Sequence, residues 1–249
     1  MVESIIQTLG PLENTVTDTR TPTSTAASTT TAARRPSRRS RSGIERPRVG
    51  QVRIRLGALG LSALGVQAIG RVEAVGPEAG GFAPGDRVAY QFSAETPGLS
   101  HIVGERDLIG FPKDVAIEKA AALLPLGVIA RAIVKQLHSI GRGNRVSVAP
   151  DPSGADAFVR AWAEHLGAVI VDEGEPAIDV AITSEDYKAA RMLRNGHGIA
   201  QLAASDVFQA VRGGVFDGLA IASYPLSDAA KAKSAFEDRS GKPIVLLAA

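Results

Sequence analysis

Residues 145–168, Arg145-Val-Ser-Val-Ala-Pro-Asp-Pro-Ser-Gly-Ala-Asp-Ala-Phe-Val-Arg-Ala-Trp-Ala-Glu-His-Leu-Gly-Ala168, read as a strand, a tight turn and an amphipathic helix. A dinucleotide pyrophosphate is usually seated at the turn of such a unit. Glycines there let backbone N–H groups approach the anion and act together with the positive end of the helix. This turn keeps a single glycine, Gly154, between Ser153 and Asp156. An aspartate in the first turn complements the helix dipole, but it stands where an incoming phosphate would lie and repels it. The stretch follows a nucleotide-binding plan with a damaged site.

Val169-Ile-Val-Asp172 follows as a second strand, and Asp172 lies 18 residues after Gly154. That is near the spacing of about 20 residues at which an acid meets an adenosine ribose hydroxyl. Ser153, Gly154, Asp156 and Asp172 are therefore the candidate cofactor-binding residues. The competing reading of Asp172 is a solvated strand-end acid beside Glu173.

The remaining pattern continues the alternation. Strands are expected at 145–149, 168–172, 178–183, 198–203 and 244–248, with helices at 117–138, 155–166, 185–194, 205–212 and 227–238. Alternating strands and helices argue for a parallel sheet covered by helices. Upstream, Gln51-Val-Arg-Ile-Arg-Leu56 alternates as a half-buried strand does, and residues 70–90 give two strands around a Gly/Pro-rich turn. The strand at 199–203 is expected to be an exposed sheet edge.

Composition bounds the function classes. The chain has 249 residues, 45% of them hydrophobic, enough for one large domain or two moderate ones. It has no cysteine, which excludes disulfides, thiolate nucleophiles and cysteine-ligated zinc and fits a cytoplasmic location. No apolar run reaches the ~18 residues of a membrane-spanning helix, and the first residues lack the features of a secretory signal. The net charge of +2 hides an asymmetry: residues 34–48 carry seven arginines against Glu45. Residues 15–43, rich in Thr, Ser, Ala and Arg, offer too few large apolar groups to offset ordering entropy and are expected to be flexible. Arg34, Arg35, Arg38, Arg39 and Arg41 make a basic arm that suits nucleic-acid phosphates, an acidic partner, or plain solvation.

Gly70-Arg-Val-Glu-Ala-Val-Gly76 with Gly85-Asp-Arg-Val88 resembles the GroES-like domain of medium-chain dehydrogenases/reductases. The run from Asp107 to Gly127 is similar to that family's linker into its nucleotide domain, and Tyr224-Pro-Leu-Ser-Asp-Ala-Ala-Lys-Ala232 with Gly241-Lys242 to its C-terminal end. The similar branch is the zinc-free quinone oxidoreductases and enoyl reductases. The resemblance implies an α/β protein with a truncated GroES-like β domain and a reduced Rossmann-like parallel sheet. The expected division is an N-terminal strand segment at 1–14, a flexible insert at 15–48, the β domain at 49–116, the Rossmann-like domain at 117–222, and a C-terminal helix and strand at 223–249.

Departures from the family shape the functional expectation. Residues 57–66 run almost directly into Gly70, where the family places a polar substrate loop, and Ile129 stands where a threonine commonly faces the nicotinamide. His101, His138, His165 and His197 show no metal-ligand spacing. Tyr90 and Trp162 suit packing better than ligand contact. The expectation is a quinone oxidoreductase-like, non-catalytic protein without a bound cofactor that acts through a protein partner or as a homo-oligomer. The alternative is an active reductase that uses NAD or NADP to reduce a quinone or enone; nucleic-acid contact through the arginines is a weaker one.

Overall fold

The computed structural model describes residues 46–62, 64–92, 98–193, 197–238 and 242–248, the backbone alone for 197–200. The expected strand at 1–14 and nearly all of the expected insert at 15–48, with its basic arm, lie outside the described residues.

The backbone of the first unit is one long hairpin. β1 (Gln51–Ser62) pairs with β2 (Gly65–Val75) along its whole length. The strand read at 51–56 thus runs six residues further than the sequence suggests, with Ala58 to Leu61 buried on both faces. The strand persists because Ser62 closes the hairpin: its Oγ donates to the Gly65 carbonyl (3.0 Å) and accepts from the Leu64 amide (3.2 Å). Gly65 has φ +117°, a conformation few other residues adopt. The other edge of β1 is shared, its first half pairing with β4 (Ser100–Gly104) and its second with β10 (Ile244–Leu247). β3 (Arg87–Gln91) and β5 (Ile109–Gly110) extend the sheet beyond β2, and β9 (Ala222–Pro225) pairs in parallel with β10.

One helix joins this sheet to the second unit. α1 (Ile117–Arg131) is buried continuously from Ala120 to Ala130 and continues as a π-helical segment over Ala132–Leu137. A helix apolar on every side must be covered on every side. Ala58, Ile69, Ala89 and Val245 cover it from the sheet.

The second unit is a three-stranded parallel sheet in the order β7-β6-β8, formed by β6 (Arg145–Val148), β7 (Val169–Val171) and β8 (Val180–Ile182). α2 (Ala155–His165) packs on β6 and β7, α3 (Ser184–Leu193) packs on α1 and its π-helical continuation, α4 (His197–Arg212) packs on α1 and β5, and α5 (Ala229–Glu237) packs on β9 and β10. The mixed α/β architecture agrees with the sequence reading.

The expected strand at 198–203 is not one. It belongs to α4, whose Ala204, Val207, Phe208 and Val211 are buried while Leu202, Ser205 and Gln209 face outward. Spacing of three and four residues is helical; the short run Ile199-Ala-Gln-Leu-Ala203 is ambiguous by itself. No sheet edge exists there. The strand at 244–248 also joins the large mixed sheet rather than the small parallel one.

Candidate functional site

A cleft of about 920 Å³ opens between the two units. Its walls are the tip of the β1–β2 hairpin (Leu61, Ser62, Leu64), Ala122 and Leu126 of α1, and Phe236, Glu237 and Lys242 at the C-terminal end of α5 and beyond. Its floor is the turn after β6, residues 151–154, with Asp156 and Arg191.

The turn is fastened from within. Arg160 donates from Nη2 to the Val148 carbonyl (2.5 Å), and the Tyr187 hydroxyl donates to the Ala149 carbonyl (3.0 Å). Burial pushes the Tyr187 phenol above its ordinary range, aided by nearby Asp156 and Asp151, so it stays a donor. The Gly154 amide donates to the Asp151 carbonyl (2.9 Å). Gly154 holds φ +80° as the residue preceding α2, so this backbone conformation by itself explains the glycine.

Asp151 is the centre of the floor. Its side chain is 4% exposed. The carboxylate accepts the Ser153 amide (3.1 Å) and the Ser153 hydroxyl, and Nη2 of Arg191, on α3, bridges both of its oxygens at 2.7 and 2.9 Å. Burial alone would raise the Asp151 carboxyl. The hydrogen bonds from Ser153 and Arg191 and the charge of Arg191 outweigh it and hold the group below the usual carboxylate range. Donors that would face an anionic ligand are spent on a residue of the chain itself.

Of the sequence-derived candidates, Ser153, Gly154 and Asp156 line the cleft, and Asp172 does not. Asp172 follows β7 as an exposed residue, its amide bonded to the Glu175 carboxylate (3.0 Å). Ile129 is fully buried in the core, and the α1 side chains that reach the cleft are Ala122 and Leu126. Tyr90 and Trp162 are also buried, Trp162 edge-on to Phe216. Among the described residues no group of three or more His, Asp or Glu is placed to hold a metal, and no helix is long and apolar enough to cross a membrane.

Sequence reading missed Asp151 and Arg191. Asp151 stands inside the quoted turn, and an aspartate two residues before a free backbone amide is a known local acceptor. Arg191 lies 40 residues away and carries no local signal.

No protein-family model matches the chain. A quinone oxidoreductase of Pseudomonas aeruginosa is 31% identical over 112 residues, which are 44% of this chain and 34% of that protein. The match thus spans about a third of the relative's length. Among solved structures, a quinone oxidoreductase of Pseudomonas syringae pv. tomato aligns with TM-score 0.62 and 20% identity over 82% of this chain and 93% of its own. The Escherichia coli quinone oxidoreductase complexed with NADPH aligns with TM-score 0.63 and 16% identity over 83% and 94%. The fold is that of the medium-chain dehydrogenases/reductases, with quinone oxidoreductases and enoyl reductases as its structural neighbours.

Proposed function

We propose that this chain, a quinone oxidoreductase-like protein on the medium-chain reductase fold, does not turn over a nicotinamide cofactor and acts through protein contacts. One observation carries the reading: the turn that would receive the pyrophosphate is filled by Asp151. A phosphate entering there meets a buried carboxylate and Asp156, and the Ser153 amide is already bonded. Titration of the purified protein with NADPH and NADH tests this. No binding is expected at physiological concentration; a dissociation constant below ~100 μM, about −5.5 kcal/mol, overturns it.

The partner half of the reading is supported by large apolar side chains left in solvent, Met192 at the end of α3 and Leu202 on α4, 76% and 68% exposed. A contiguous exposed apolar patch marks an association site, and this reading assigns both side chains to one. Sedimentation at micromolar concentration is expected to show an assembly that Met192→Glu or Leu202→Glu weakens. A monomer that recruits no partner removes this half. The same reading places the chain in the cytoplasm.

A second reading has its own support. The cleft is as large as ordinary cofactor sites, and a structural neighbour is complexed with NADPH. NAD(P)H-dependent reduction of a quinone or enone by the pure protein moves that reading to first place.

A further inference from the structure

We propose that Asp151 is a tethered ligand of Arg191, and that Arg191 is the group with which this cleft would otherwise hold a phosphate-bearing anion. The inference rests on the reading above and adds which residue would bind the ligand that Asp151 excludes.

Arg191 reaches the cleft floor from α3, a different element from the turn, and its side chain is one-third exposed toward the opening. Its Nη2 touches both oxygens of Asp151 and approaches the Ser153 hydroxyl at 3.3 Å. Three donors thus converge on one carboxylate: the guanidinium, the Ser153 amide and the Ser153 hydroxyl. A guanidinium with neighbouring N–H and O–H groups recognises the oxygens of a phosphate as it does those of a carboxylate. The pair stands at the floor of a cavity of about 920 Å³, with space above it for a ligand. Lys242 on the opposite wall adds a cation, while Asp156 and Glu237 oppose an anion.

The carboxylate prevails because it is part of the chain. A tethered group presents itself at an effective concentration in the millimolar range or above, so a dilute free anion loses the competition. Asparagine has nearly the same shape and lacks the charge. Asp151→Asn therefore leaves the floor in place and Arg191 without its counter-ion.

The test titrates the full chain and Asp151→Asn with inorganic pyrophosphate and with ADP by calorimetry, with thermal melting as the check on folding. Both anions are expected to bind the variant at least ~10-fold more tightly than the unaltered chain. In Asp151→Asn/Arg191→Gln the gain should disappear. If Asp151→Asn fails to fold, Asp151→Ser takes its place in the same series. No gain for either anion, a gain that survives loss of Arg191, or a gain for ADP alone overturns the proposal. NADPH binding by the unaltered chain is a separate arm: it defeats the non-catalytic reading, whereas absence of a pyrophosphate gain defeats only this inference.

Discussion

Tyr90 and His101 meet inside the β domain, the phenol oxygen 2.7 Å from the imidazole Nδ1. Nε2 of the same ring faces the Gly98 carbonyl at 3.0 Å, so it carries the proton and Nδ1 accepts from the tyrosine hydroxyl. Both residues are 3% exposed.

This pair makes stability depend on pH near neutrality. Burial lowers the His101 pKa from its ordinary 6.5, and the hydrogen bond to Gly98 only partly opposes it. The unfolded chain therefore takes up a proton at a higher pH than the folded one. Stability is complete above about pH 6.5 and falls as pH drops below it. The melting temperature should decline between pH 7 and 5, and His101→Gln should flatten that decline. The depressed carboxyls of Asp151, Asp186 and Asp206 act in a separate window, below their ordinary value of 3.8. An unchanged slope in His101→Gln assigns the effect elsewhere. Tyr90→Phe should cost about 1–2 kcal/mol at pH 7, because it leaves Nδ1 without a donor.

The elements legible in the sequence were those whose signal is local. The strand–turn–helix at 145–165 and the helix at 184–193 follow from apolar periodicity, and both stand close to where that pattern puts them. Ile199-Ala-Gln-Leu-Ala203 misleads because five residues fit either period; Ala204, Val207, Phe208 and Val211 settle it by facing the core together. The site was half legible. Gly154 and Asp156 announce a compromised turn, but the residue that fills it depends on Arg191, which the fold brings from another helix.

Gly60 is where β1 touches α1. A Cβ added there would lie 1.9 Å from the Ala121 carbonyl oxygen and 2.7 Å from its carbon, both backbone atoms. Neither can move without shifting the helix that joins the two units. Gly60→Ala should destabilise by about 3 kcal/mol or more, measured by urea unfolding. A loss below ~1 kcal/mol, within the range of well-tolerated core changes, would mean that α1 is loosely seated.

Ile129→Thr distinguishes a buried position from a lost cleft group. The side chain has no exposed surface and is enclosed by the core around α1. A hydroxyl there is desolvated and volume is lost, so the variant should be less stable by about 1–3 kcal/mol. NADPH binding should not change. Any gain in cofactor affinity would place this residue on the cleft wall instead.

Restoring glycines to the turn tests how the site was closed. Asp156→Gly removes a carboxylate from the cleft, and Ser153→Gly removes the hydroxyl bonded to Asp151. Neither change displaces the Asp151 carboxylate from Arg191, because the 2.7 and 2.9 Å contacts do not involve the substituted side chains. The double variant should therefore gain little NADPH affinity, less than ~3-fold, under 1 kcal/mol. Adding Asp151→Asn should give the larger step, since it alone frees the guanidinium for an incoming phosphate. Fluorescence titration of both variants decides the order. A full gain from the glycines alone would show that the turn's missing amide cradle, and not the occupied arginine, keeps the cofactor out.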